Sequence, residues 1–155
     1  MIIRDAVSSD SADIARLTNL LGYPGDAEAI SYRLAKIAGR QEDLLIVAVL
    51  KEEIVGWLQA HASVVLESGF RVEIVGLIVS EESRRCGVGR SLVHRAEQWA
   101  SQIGAEALVV RSNTKRVESH IFYPALGFSS SKTQSVYRRV LKTEPNQALQ
   151  HNDRG

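Results

Sequence analysis

One cysteine, Cys86, is all the disulfide chemistry this 155-residue chain has. No internal disulfide is possible, and a reducing compartment is the simple expectation. Excess charge is missing too, since 19 lysines and arginines face 18 acids, a net charge of +1. So weak a whole-molecule field gives no reason to expect nucleic acid or a membrane surface as partner, and any anion site must be local. No apolar run reaches membrane-spanning length. The opening "MIIRDAVSSDSADIARL" has early acids and no apolar stretch of signal-peptide length. A cytoplasmic soluble protein is the expectation. No internal repeat occurs, and no low-complexity block beyond "SSS". His61 and His94 lack a partner at metal-ligand spacing, so no metal is expected.

What is present is an ordinary globular composition, 45% hydrophobic and 24% charged, enough for one domain with a real core. "MIIRDAV" predicts a first strand. A helix follows with Ile14, Leu17, Leu20 and Leu21 at helical spacing, then a "GYPGD" turn. Asp26 caps a second helix whose Ile30, Leu34 and Ile37 share a face. "LLIVAVL", "IVGWLQAHASVVLE" and "FRVEIVGLIVS" predict three strands in succession, the first two joined by a tight "KEE" connection. The helix "GRSLVHRAEQWASQIG" carries an apolar stripe of Leu92, Val93, Ala96, Trp99 and Ala100. "EALVVRS" predicts a strand, "TKRVESHIFYPAL" a short helix limited by Pro124, and "GFSSSKTQSVYRRVL" two further short strands. The order predicts an α+β (mixed α/β) fold over residues 1–142, with antiparallel hairpins first and a parallel crossover later. Residues 143–155 are polar and without period, which predicts a flexible tail.

The stretch "VEIVGLIVSEESRRCGVGRSLVHRAEQWA" passes from apolar strand through a basic, glycine-bearing loop into a helix. That pattern suggests phosphate binding. A P-loop would need Gly-Lys-Ser/Thr, and "GRS" has arginine in the lysine slot. A dinucleotide fingerprint would need a third glycine, and Leu92 occupies that place. Gly87 and Gly89 can let the backbone turn and approach a diphosphate. The amides at the next helix's N-terminus and its dipole favour the same anion. Arg84, Arg85 and Arg90 add local positive charge. A simple strand-to-helix loop with solvated arginines is the alternative.

"RRCGVG" matches Q/R-x-x-G-x-G/A. With the strand before it, the helix after it, "VVRSN" and "FYPALGF" in order and spacing, the chain resembles the GNAT acetyltransferases from about Ile2 to Leu141. The resemblance implies a central, mixed, mostly antiparallel sheet of six to seven strands with splayed central strands, flanked by about four helices. It implies acetyl-coenzyme A as co-substrate. The diphosphate would be held by Arg84, Arg85, Cys86, Gly87, Val88, Gly89 and Arg90; Cys86 itself reads as a space-filling position, with a reactive thiol near a helix N-terminus as the alternative. The pantetheine arm would pair with the backbone of Leu77, Ile78 and Val79 like an added strand, and Asn113 would bond it. Lys115 and Arg116 would meet the adenosine phosphate or be solvated.

Two residues would carry the proton chemistry. Glu73 is the only charge between Val72 and Val79, in an apolar segment where a carboxylate is costly unless paired or useful. The resemblance implies a general base there; a strand-end carboxylate in water, or in a salt bridge with Arg71, is the other reading. The same resemblance makes Tyr123, in F-Y-x-x-x-G-F, the acid that protonates the leaving thiolate. Tyr23, Trp57 and His120 are the candidate acceptor contacts. The pattern S-N-x-K-R-x-x-x-H-x-F-Y looks like the small-amine, aminoalkylphosphonate N-acetyltransferase branch. It implies acetyl transfer to a small-molecule primary amine by direct attack. Protein or peptide acetylation and a non-catalytic acyl-coenzyme A module are the alternatives. Dimerisation is common in the family, and no feature here demands it.

Overall fold

The computed structural model describes residues 1–20 and 22–142. A five-stranded sheet in the order β1-β2-β3-β4-β5 organises it. The strands are β1 (Ile2–Asp5), β2 (Asp43–Leu50), β3 (Glu53–Val65), β4 (Gly69–Val79) and β5 (Ala107–Val110). The first four pair antiparallel, and β5 joins β4 in parallel through the crossover helix. The helices are α1 (Ser11–Leu20), α2 (Ala27–Ile37), α3 (Val88–Gln102) and α4 (Val117–Ala125).

Local chemistry accounts for the boundaries. Lys51 and Glu52 both take positive φ, 49° and 67°, which gives the two-residue hairpin turn that matches strand twist. Asp26 accepts from the Ala29 amide at 2.7 Å and caps α2. Arg4 grips Asp10 with two guanidinium bonds of 2.8 and 2.9 Å, while the Val7 amide donates to the same carboxylate at 2.8 Å. This half-buried ion pair pins the β1–α1 corner.

Each face of the sheet has its own core. α3 covers one face, with Val88, Leu92, Val93, Ala96 and Ala100 packed on Leu58, Ala60, Val72 and Ile74. Its stripe is the predicted one, with Trp99 partly buried beside it. On the other face Ile14, Leu17 and Leu34 meet Val47, Ile54 and Ile78.

Two expectations need correction. Leu20 was expected in the α1 stripe and is 69% exposed; Leu21 lies outside the described residues. The two strands expected within 127–141 are absent. That segment has no regular structure, and Val136, Tyr137, Val140 and Leu141 are 79–93% exposed. Without an apolar surface to cover, nothing offsets the entropy of ordering a strand there. The sheet therefore has five strands rather than six or seven. The tail expected at 143–155 lies outside the described residues.

Candidate active site

A bulge in β4 creates the site. Gln59 pairs with Gly76 and Ala60 with Ile74, so Val75 is an extra residue on β4. The bulge reverses the alternation. Before it Val72 and Ile74 face α3; after it Leu77 and Val79 do, and Ile78 turns to the opposite face. The parallel ladder to β5 ends at Ile74 and Val110. From Val75 to Val79 the edge of β4 facing β5 has no strand partner among the described residues, so the expected splay is present.

A cavity of about 530 Å³ opens at this fork. Its walls include Ile14, Thr18 and Leu34 from the first two helices, Tyr23 from their connection, Trp57 and Gln59 from β3, and Gly76, Leu77 and Ile78 from β4. Arg111, Asn113, Arg116 and Tyr123 close the far side. The space at Gly76 is taken by Trp57: a Cβ there would stand 2.6 Å from the indole ring. The Trp57 Nε1 is buried with no hydrogen-bond partner among the described residues, a state that costs about 1–3 kcal/mol unless a ligand accepts from it.

Tyr123 is held by two aromatic neighbours. The Phe122 ring lies edge-on at 5.0 Å and that of Phe128 at 5.6 Å. Gly127, at φ 91°, ends α4. The Gly127 amide donates to Pro124 O and that of Phe128 to Tyr123 O, a Schellman closure that returns Phe128 to the Tyr123 ring. This is the structural content of F-Y-x-x-x-G-F. Pro124 sits in the last turn and does not end α4 before it. Burial pushes the Tyr123 phenol above its ordinary pKa, and the Arg116 charge offsets part of that rise.

Glu73 stands between His61 and Val109 on its neighbouring strands, on the face opposite α3. Its partner is Arg111, whose Nη1 donates to Oε1 at 3.0 Å; the Arg71 pairing does not form. Glu73 does not itself line the cavity, but Arg111 does. His61 is oriented by Asp43, with Nδ1 2.7 Å from Oδ1.

The glycine loop lies beyond the end of β4. Gly87 caps α3 in the left-handed conformation, φ 79°, and a Cβ there would meet nothing within 4 Å. Arg85 is also left-handed, φ 65°, a strained state for a side chain. The first bond along α3 runs from the Ser91 amide to Gly87 O, so the amides of Val88, Gly89 and Arg90 have no intrahelical acceptor. No acid sits in that first turn. Val88 is buried; Arg84, Arg85, Cys86 and Arg90 are exposed. Gly89 has a second duty, since a Cβ there would lie 3.1 Å from the Phe122 ring.

Of the acceptor candidates, Tyr23 and Trp57 line the cavity, and His120 does not. The His120 Nε2 stays 2.9 Å from Thr114 O. Asn113 lines the cavity while its Oδ1 accepts from the Lys115 amide at 3.0 Å. Arg116 donates to Tyr23 Oη at 2.6 Å. Sequence reasoning passed over Arg33 and Arg111. The signal for Arg111 was in "VVRSN", one residue past a strand parallel to the one bearing Glu73. Among the described residues no group of three or more His, Cys, Asp or Glu could hold a metal ion, and no helix is long and apolar enough to cross a membrane.

Known proteins of this shape come from several sources. An aminoglycoside 6'-N-acetyltransferase, AAC(6')-IG of Acinetobacter haemolyticus, superposes with a TM-score of 0.79 at 20% identity, over 92% of this chain and 100% of its own. A transcriptional regulator from Bacillus halodurans C-125 gives 0.80 at 27% identity, over 89% and 99%. In sequence, the acetyl transferase GW6a of rice, Oryza sativa subsp. japonica, is 30% identical over 115 residues, 66% of this chain. The matched region spans 27% of the rice protein's length. Residues 12–128 match the acetyltransferase (GNAT) family. That match takes in the fork, the glycine loop and Tyr123, and the chain belongs to the GNAT acetyltransferase family.

Proposed function

We propose that this protein transfers the acetyl group of acetyl-coenzyme A to the primary amine of a small molecule by direct attack. The observation that carries the reading is the unpaired edge of β4 from Val75 to Val79, opening into the cavity that Tyr123 borders. Acetyl-coenzyme A supplies an activated acyl carbon and a thiolate leaving group. The residues present suit it. The edge of Leu77, Ile78 and Val79 offers backbone groups for an extended arm, with Asn113 beside it. Gly87 leaves open space, and the amides of Val88, Gly89 and Arg90, with Arg84 and Arg85, suit a diphosphate. Among the solved relatives of the same fold, AAC(6')-Iy was determined with a coenzyme A bisubstrate analogue.

In this reading the β4 edge amides donate to the acyl oxygen as negative charge builds there. Glu73, which does not line the cavity, takes the proton of the acceptor ammonium through water; Arg111 engages its Oε1. The amine nitrogen bonds to the acyl carbon, the carbon–sulfur bond breaks, Tyr123 gives its proton to the sulfur, and the proton then shed by the new amide nitrogen restores the phenol through water. Bringing two reactants together in one cavity supplies much of the rate. The finer resemblance, to the small-amine and aminoalkylphosphonate members, belongs to the same proposal. A thiol-release assay with acetyl-coenzyme A across small amines and peptides tests it. Amine-dependent release is expected with small amines. Release only with peptides, or cofactor binding without release for any amine, would overturn the reading.

A further inference from the structure

The cavity is lopsided in charge. Arg33, Arg111 and Arg116 border it, and among the described residues no aspartate or glutamate does. Nearby acids are already engaged. Asp26 caps α2 through the Ala29 amide at 2.7 Å. Asp43 is tied to Arg40 at 3.0 Å and His61 at 2.7 Å. Glu73 balances at most one of the three guanidinium groups, through a single 3.0 Å contact to Arg111 Nη1. Arg116 rests on a neutral partner, the Tyr23 hydroxyl at 2.6 Å, with the ring centroid 5.7 Å away. Arg33 is in no ion pair among the described residues. It stands between Ile30 and Ile37 on the edge of the α2 face that lines the cavity.

We propose that this cavity selects an amine that also carries an oxyanion group, a carboxylate, phosphonate or phosphate, and that Arg33, Arg111 and Arg116 hold that group. The inference rests on the acetyl-transfer reading above and names its substrate class. Guanidinium forks suit planar or tetrahedral oxyanions, and each has N–H groups left over after the contacts just given. The diphosphate loop is not their target. The Glu73–Arg111 pair sits six residues before the end of β4, about 20 Å at ~3.3 Å per residue. A polycationic acceptor such as an aminoglycoside would meet like charge at all three positions. Apolar walls from Ile14, Leu34 and Trp57 leave room for a short chain between the anion and the amine.

A series of amines with one carbon skeleton and different ends tests this: methyl, hydroxyl, carboxylate, phosphonate and a second ammonium. The anionic members should exceed the hydroxyl member in kcat/KM by about tenfold or more, mainly through KM. The carboxylate and phosphonate arms identify which oxyanion is preferred. In Arg33→Gln and Arg111→Gln the anionic-to-neutral ratio should fall toward one. Equal or better turnover of the neutral or doubly cationic members overturns the proposal. Calorimetric titration with methylphosphonate and with acetate, without acetyl-coenzyme A, reads the subsite apart from the reaction. Binding that Arg33→Gln weakens supports it even if no amine is acetylated, and absence of binding for both anions sinks it.

Discussion

Gly89 at the start of α3 seats the ring of Phe122 from α4: a Cβ on Gly89 would stand 3.1 Å from Cζ and 3.3 Å from Cε2 of that ring. The glycine loop and the aromatic motif more than thirty residues later are thus parts of one contact. Phe122 in turn touches Tyr123 edge-on, so loop geometry reaches the candidate acid.

Gly89→Ala should therefore separate stability from rate. Alanine gains up to about 1 kcal/mol of helix propensity over glycine. Overpacking against Phe122 costs about 1–3 kcal/mol where the ring cannot yield. Thermal unfolding should shift by only a few degrees while kcat falls, because Phe122 moves with Tyr123. Unchanged kcat would show that the ring adapts without disturbing the tyrosine.

Tyr123→Phe removes the hydroxyl and keeps both aromatic contacts. It should lower kcat by about 10²-fold, the lower end of the general-acid range, with acetyl-coenzyme A binding little changed. Burial holds the phenol above its ordinary pKa, so the proton stays available across neutral pH. Any alkaline decline of kcat that belongs to this group should lie above pH ~10. A decline centred below pH 9 that survives in Tyr123→Phe would assign the limb elsewhere.

Glu73→Gln keeps the size of the side chain and removes its capacity as a base. The expected result is a drop in kcat without loss of cofactor affinity. Rates equal to wild type would leave proton removal to water alone.

Gly76→Ala places a methyl 2.6 Å from the Trp57 ring, closer than the strand can accept without moving the indole. Since Trp57 lines the cavity, the acceptor KM should rise by more than the acetyl-coenzyme A KM. Steady-state kinetics with each substrate varied in turn separates the two.

The Arg4–Asp10 pair predicts an acid-dependent loss of stability. Arg4, desolvation notwithstanding, holds the Asp10 carboxyl below its ordinary pKa, with the Val7 amide assisting. Because the folded value is the lower one, this stabilisation is complete above the ordinary carboxylate value of about 4 and is lost as pH falls through the folded value. Asp10→Ala should cost about 2–3 kcal/mol at pH 7, and the difference from wild type should shrink toward pH 2. Urea unfolding at both pH values measures it.

Sequence alone was enough for whatever depends on neighbours along the chain. The α3 stripe of Leu92, Val93, Ala96 and Ala100, the Asp26 cap and the tight "KEE" turn follow from helical period, side-chain capping and hairpin geometry, all local. The glycine loop and F-Y-x-x-x-G-F were legible as motifs for the same reason. Tertiary structure decided whatever depends on strand register. The Val75 bulge reverses which side chains face α3, and a one-residue shift has no compositional mark. Only that register places Glu73 against Arg111 instead of Arg71. Only the packing of α1 and α2 on the sheet brings Arg33 to the same cavity as Arg111 and Arg116, which lie far from it in sequence. The same register, ending at Ile74 and Val110, leaves the edge of β4 open, and so turns an apolar strand into a place where a ligand can bind.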